Sequence, residues 1–328
     1  MTSDDGAPAA ELRGLVRDLA LALRERVVPM LGSHAARAHE EELAAGGDIT
    51  FAIDAEAEEL LASFLAERAP HVAFYSEDRG LVLPGGGEAD TVLVVDPIDG
   101  TRPALAGFES CCVSVAAAPL RDDVSMGDVS VGCVVEIPSG IVFLAERGQG
   151  LVEAPPVRLS RNEELERMFW VYGFRGRPVR LYTELLGGLI EASSVGGGCF
   201  ELGSATYDST RVLTGQLDAY IEPGPRLIED LPETRSEFER VGGGSVLNNT
   251  PYDLAAVVLC LEEGGAVVTD AGGGSLAAKP LLGAGPEHQM SVVACANPRL
   301  HALLIEELDA GMGRVAFSLA GAQETESR

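Results

Sequence analysis

The chain has 328 residues, 46% of them apolar and 23% charged, which leaves room for one large or two medium domains with a real core. Its formal net charge is −27, with Lys279 the single lysine, so bulk attraction to a nucleic-acid backbone or an anionic membrane surface is excluded. No apolar run approaches the roughly 20 residues of a membrane helix, and the acidic start MTSDDGAPAA has no apolar secretory core, so a cytoplasmic location is expected.

Leu12, Leu15, Val16, Leu19, Leu23 and Val27 share one helical face and predict a helix over about 9–30. Residues 54–69, DAEAEELLASFLAERA, predict a second amphipathic helix, with Asp54 placed to cap it and acidic residues in its first turn. Strand patterns follow at 71–75, 91–96, 110–118, 129–137 and 140–146, so this half reads as a helix pair with a meandering sheet, an α+β signature. From about 158 the pattern alternates. MFWVYGF reads as a strand, 178–192 and 203–215 as helices, and LDAYIE as a strand. YDLAAVVLCLEEGG then reads as a helix, AVVTD and MSVVACAN as strands, and PRLHALLIEEL as the closing helix. This second half resembles α/β layering, and the chain divides into 1–155 and 156–328.

Glycine triplets at 85–87, 196–198, 242–244 and 272–274 read as flexible connections, because no G-x-G-x-x-G follows a strand and opens a helix. Residues 225–250 are polar, acidic and Gly-rich and read as an inserted loop, and the tail GAQETESR is expected to fray. Cys111, Cys112, Cys133, Cys199, Cys260 and Cys295 form no C-x-x-C pair and sit mostly in apolar runs, so free buried thiols in a reducing compartment are expected. The five histidines show no zinc spacing.

The stretch VVDPIDGTRPALAG (94–107) concentrates the chemistry. Val92, Leu93, Val94 and Val95 read as a strand apolar on both faces, so Asp96 stands where it leaves the core and Asp99 follows on the turn. Asp99-Gly100 alone would be read as the bend itself. Carboxylates recur at strand ends and helix starts, as Asp54, as Glu77 in FYSED and as Asp253 in PYDLAA. Each alone is a cap or a turn. Together they are hard oxygen ligands without His or Cys, which suits Mg²⁺ or Mn²⁺ and not zinc. Mg²⁺ commonly joins one or two carboxylates to a substrate phosphate, so the pattern points to phosphoryl chemistry. A helical turn starting at Thr101, with Pro103 in its first turn, would offer free amides to a phosphate oxygen.

On these residues the chain resembles the inositol monophosphatase family, part of a larger superfamily of Mg²⁺-dependent, lithium-sensitive phosphatases that includes fructose-1,6-bisphosphatases. DPIDGT is similar to the family signature, GDITFAIDAEAE (47–58) to its upstream motif, and SED (76–78) to its metal-binding acidic pair. YDLAAVVLCLEEGGAVVTDAGG (252–273) resembles the W-D-x-A-A motif with the E-A-G-G that follows it. ELGSATYDSTRVLTGQLDAYIE and SVVACANPRLHALL match in order and spacing, and the resemblance extends over about 9–308.

The resemblance implies a layered αβαβα fold, an α+β / α/β combination. An N-terminal subdomain, 1–155, would carry the metal and phosphate site, and a C-terminal one, 156–328, would complete it. It implies a homodimer acting on a small phosphate ester, with two or three Mg²⁺ ions. By the same resemblance Glu77, Asp96 and the carbonyl of Ile98 hold a first ion, and Asp96, Asp99 and Asp253 a second. Thr101 paired with Asp54 activates a water, while the amides of Gly100 and Thr101 bind the phosphate. Glu222 stands at the position that contacts substrate hydroxyls, and Ser204-Ala205 on the matching substrate-side turn; helix capping and packing are the alternative roles of these three. Asp78 supports Glu77 or reaches a third ion.

Three departures accompany the match. RPA (102–104) replaces x-N-F, Tyr252 replaces Trp, and the long segment 223–252 separates Glu222 from Asp253. The implied activity is hydrolysis of inositol monophosphate or a related sugar phosphate. Fructose-1,6-bisphosphatase or nucleotide 3′-phosphatase activity is the alternative, and a non-catalytic phosphate-ligand binder a further one.

Overall fold

The computed structural model describes residues 6–43 and 49–326, and side chains over 9–38 and 50–321. Helices α1 (Gly6–Val27) and α2 (Ala52–Arg68) are joined through a hairpin of β1 (His39–Leu43) and β2 (Ile49–Phe51). A seven-stranded sheet follows, made of β3 (Ala73–Ser76), β4 (Gly80–Val82), β5 (Thr91–Asp99), β6 (Cys112–Pro119), β7 (Val131–Glu136), β8 (Val142–Glu146) and β9 (Gly150–Glu153). Its order is β4-β3-β5-β6-β7-β8-β9, with β3 and β5 parallel and the other pairs antiparallel. The short helix α3 (Thr101–Ala106) leaves the end of β5.

The second sheet contains β10 (Phe169–Tyr172), β11 (Gly198–Phe200), β12 (Ala219–Glu222), β13 (Val267–Thr269) and β14 (Val292–Cys295), in the order β11-β10-β12-β14-β13. Helices α4 (Val179–Ala192), α5 (Ala205–Thr214), α6 (Gly224–Asp230), α7 (Arg235–Val241), α8 (Pro251–Glu263) and α9 (Pro298–Glu326) complete the chain. The layers run α1 and α2, first sheet, α5 and α8, second sheet, then α4 and α9, an αβαβα arrangement. Among the described residues no helix is long and apolar enough to cross a membrane.

The layering follows from which faces are apolar. On β5, Val92 and Val94 join the core between the sheets, while Leu93 and Val95 join the core under α1 and α2, as period-2 alternation requires of a strand covered on both faces. Helix α8 is apolar nearly all round, with Leu254 through Leu261 buried, because it lies between two sheets. Gly132 on β7 lets α8 approach, since a Cβ there would stand 2.7 Å from the Ala256 carbonyl oxygen. The core between the sheets mixes residues of 73–145 with residues of 171–296.

Several expectations need correction. Asp54 is not the cap of α2. The helix starts at Ala52, and the Asp54 carboxylate reaches back to accept a 3.0 Å hydrogen bond from the Phe51 amide. Residues 225–250 are not a loop, for they hold α6 and α7, whose Leu227 and Phe238 pack into the core outside the second sheet. Their polar composition hid a few well-spaced apolar anchors. The glycines at 196–198 are no flexible connection either. Gly198 pairs with Phe169 at the start of β11, and a Cβ on Gly197 would overlap the Met168 carbonyl. Helix α9 continues to Glu326, through residues expected to fray. The six cysteines are free, with Cys199 half-buried and the others buried.

Candidate active site

Ser76 pairs with Val95 in parallel register, so Glu77 and Asp96, one residue further on, lie at the same end of the sheet. β5 does not end at Asp96 as expected but runs on through Asp99, which pairs with Cys112 of β6 instead of standing on a turn. A register shift against β6 lies between Asp96 and Asp99. Residues three apart on a regular strand point to opposite faces; the irregularity lets both carboxylates serve one site. Asp253 arrives from the first turn of α8. One oxygen from each of Asp96, Asp99 and Asp253 lies within 4.8 Å of the others.

Each carboxylate is held by backbone geometry. Asp96 Oδ1 accepts from the Ile98 amide at 2.9 Å. Asp99 Oδ2 accepts from Ser204 Oγ at 2.8 Å and from the Thr206 amide at 2.5 Å, which ties it to the start of α5. Asp253 Oδ2 accepts from the amide and hydroxyl of Thr250, at 2.6 and 2.9 Å, as the third residue of a capping box. Two helix N-termini thus face the cluster, and their dipoles favour negative charge there.

That help does not offset the repulsion. Burial, then Glu77, Asp99 and Asp253, hold Asp96 well above the usual carboxylate range. Burial raises Asp99 against its hydrogen bonds from Thr206 and Ser204. Asp253 is pushed up to about 7 by burial and by Asp99. Buried like charges at this spacing need a counter-charge to ionise together. The donors are all oxygen, so the set fits a hard divalent cation. Glu77 is half-buried and lines the same cavity, outside the trio itself.

Gly100 turns the chain out of β5 with φ +87°, and a Cβ would stand 2.5 Å from the Ser110 carbonyl oxygen and 2.8 Å from Ser204 Cβ. Only glycine fits. Thr101 Oγ1 then lies 3.1 Å from both Asp54 Oδ1 and the Ile98 carbonyl oxygen, two acceptors for one hydroxyl proton. Asp78 Oδ1 accepts from Thr50 Oγ1 at 2.9 Å. Ser204 caps α5, accepting from the Tyr207 amide at 3.0 Å, and holds Asp99 with the same hydroxyl. Ala205 is buried beside it and lines the cavity.

The cavity at the cluster has a volume of about 90 Å³. Glu77, Asp99 and Asp253 form one side, and Arg177, Asn248, Asn249 and Gln289 belong to the rest of its wall. Glu222 does not line it. Its side chain is fully buried, with Arg177, Tyr182 and the Gly224 amide on its oxygens. Asp208 does line it; its Oδ1 is buried without a hydrogen-bond partner among the described residues, and burial, then Asp99 and Glu201, hold it well above the usual range. Sequence reasoning missed Asp208, Arg177 and the asparagines. The single cue to Asp208 was its place one helical turn after Ser204, on the same face. A larger groove, about 620 Å³, lies away from the trio and is lined by Phe108, Phe169 and Phe200, with Phe108 66% exposed.

A family profile described as the inositol monophosphatase family matches residues 13–312. A fructose-1,6-bisphosphatase/inositol-1-monophosphatase of Methanothermobacter thermautotrophicus is 27% identical over 306 residues, covering 90% of this chain and 96% of the relative. A Nus factor SuhB of Vibrio cholerae is 25% identical over 230 residues, 70% of this chain and 74% of that one. Among solved structures, the Thermotoga maritima IMPase superposes with a TM-score of 0.65 at 20% identity, covering 93% of this chain and 98% of that one.

Proposed function

The chain belongs to the inositol monophosphatase family and is a phosphoric monoester hydrolase, and from that premise we propose that it hydrolyses inositol monophosphate or a related sugar phosphate with Mg²⁺. The observation that carries this reading is the trio of carboxylates within 4.8 Å, Asp96 and Asp99 buried and Asp253 half-buried, each with a raised proton affinity. Asp96, Asp99 and Asp253 would hold one ion, and Glu77, Asp96 and the Ile98 carbonyl another. When bound, the ions would offset the charge of the phosphate and make a bound water more acidic. Residues 1–155 then act as one subdomain and 156–328 as the other, the first supplying Asp96 and Asp99 and the second Asp253.

The chain's own residues do the rest. Thr101 accepts the proton of the attacking water as its own hydroxyl proton passes to Asp54, along the 3.1 Å hydrogen bond between them. The amides of Gly100 and Thr101 orient the phosphate. Ser204 keeps Asp99 aimed through its 2.8 Å hydrogen bond. We also read the protein as a cytoplasmic homodimer.

Phosphate release tests the reading. The purified protein is assayed with Mg²⁺, and again after chelation, against inositol 1-phosphate, fructose 1,6-bisphosphate and adenosine 3′,5′-bisphosphate, with and without lithium. Release that needs Mg²⁺ and favours inositol 1-phosphate supports it. Release that survives chelation, or that Asp96→Asn leaves at the wild-type rate, overturns it. Preference for fructose 1,6-bisphosphate would move the substrate to the first of the two activities named for the Methanothermobacter relative.

A further inference from the structure

Glu222 lies at the end of β12, and Arg177 is 6% exposed in the connection between β10 and α4. Glu222 Oε1 accepts from Tyr182 Oη at 2.6 Å and from the Gly224 amide at 2.9 Å, while Oε2 accepts from Arg177 Nη2. No oxygen of this carboxylate remains unengaged. Arg177 Nη1 donates to the carbonyl oxygens of Arg175 and Leu247, both at 2.5 Å. One guanidinium therefore joins three separate stretches: the β10–α4 connection, the end of β12, and the return leg of the inserted helices.

Glycines make the junction possible. A Cβ on Gly176 would stand 3.0 Å from Leu247 Cβ, one on Gly224 would stand 2.6 Å from Tyr182 Oη, and one on Gly173 would stand 3.1 Å from Glu222 Oε2. The return leg runs from Val246 to Thr250, and each of these residues lines the cavity. It is held again downstream, where Gln289 Nε2 donates to the Val246 carbonyl at 2.7 Å and Asn249 Nδ2 to Tyr220 Oη at 2.7 Å. Its last residue, Thr250, is the cap that carries Asp253.

We infer that Arg177 is a positioning residue for substrate: it withdraws Glu222 from substrate contact and fixes residues 246–249 as the wall that reads the ester's hydroxylated end. This inference rests on the phosphatase reading above. Recognition remote from the phosphate then passes from a carboxylate to this wall, where Asn248 Nδ2 donates to Gln289 Oε1 at 3.3 Å and Asn248 Oδ1 is buried without a hydrogen-bond partner among the described residues. The planar guanidinium serves a carboxylate through Nη2 and two backbone carbonyls through Nη1, in fixed directions that an ammonium on a flexible stem does not reproduce, so lysine cannot replace it here.

The test uses the full chain with Mg²⁺ as wild type, Arg177→Lys, and the double variant Arg177→Gln/Glu222→Gln, which leaves no lone buried charge. Two esters are compared: inositol 1-phosphate, and phenyl phosphate, which carries no hydroxyls. In both variants KM for inositol 1-phosphate is expected to rise at least about 10-fold more than KM for phenyl phosphate, and amide exchange over 246–249 to quicken about 10-fold or more. KM values that rise together, or full rescue by Arg177→Lys, would overturn the inference, because either leaves Arg177 as a plain structural ion pair. If wild type releases no phosphate from either ester, the phosphatase reading fails instead, and the exchange over 246–249 still decides the clasp.

Discussion

Gly132→Ala is the sharpest test of how the fold aims Asp253. Gly132 lies on β7 beneath α8, and its added Cβ would meet the Ala256 carbonyl oxygen at 2.7 Å, its Cα at 3.0 Å and its carbonyl carbon at 3.2 Å. All three are backbone atoms, so no side chain can rotate away. Restoring ordinary contact at roughly 3.5 Å requires α8 to lift from the sheet by somewhat less than 1 Å. Ala256 is one turn from Asp253, so the carboxylate moves with it. Overpacking of this kind costs about 1–3 kcal/mol, and at ~2–4 °C per kcal/mol for a large domain the melting temperature falls by several degrees. A displacement of that size at a reacting centre costs up to ~100-fold in rate. Differential scanning fluorimetry and a Mg²⁺ activation curve read both effects. A variant with wild-type melting temperature and unchanged Mg²⁺ activation refutes the argument that this glycine sets the helix height.

Gly187→Ala, within α4, should do the opposite: nothing lies within 4 Å of its Cβ, so the variant gains about 0.5–1 kcal/mol from a less flexible unfolded chain, and a lower midpoint in urea would contradict this. Thr101→Ala should lower kcat by roughly 100-fold or more while leaving the Mg²⁺ activation constant within about two-fold, and a large change in that constant would show that Thr101 serves the metal instead. The carboxylate trio fixes a pH sign. Folded Asp253 titrates at about 7 in the absence of metal, against about 3.9 for an unfolded aspartate. The metal-free protein therefore loses stability as pH rises through that window, and a cation that removes the cost should raise the melting temperature more at about pH 8 than at about pH 5.5. A larger gain at the lower pH would reverse the assignment.

The parts of this fold that were legible in the sequence are those whose signal is local. Val92 to Val95 announced a strand covered on both faces, and the structure divides the four between two cores. The apolar circumference of α8 announced a central helix. The inserted helices escaped because α7 buries Phe238 alone among seven residues, RSEFERV, and a single anchor makes no periodic pattern. β4 and β9 escaped for a similar reason, as edge strands of three and four residues without a buried face. What identifies them is the partner strand, which lies elsewhere in the chain.

The same division runs through the site. Asp96, Asp99 and Asp253 stand at a strand end and a helix start, positions that short motifs mark, and the structure brings their oxygens within 4.8 Å. Glu222 was also marked, yet nothing near it in sequence disclosed that Arg177, on another strand's connection, would occupy its carboxylate. A motif records which groups a reaction needs at one end of a strand or helix. It does not record which distant side chain engages them. The carboxylate side of the cavity is therefore built from local strings and the Arg177 side from long-range pairing. Substitutions at Arg177 should accordingly alter which ester is preferred, whereas substitutions at Asp96 should abolish turnover of every ester alike.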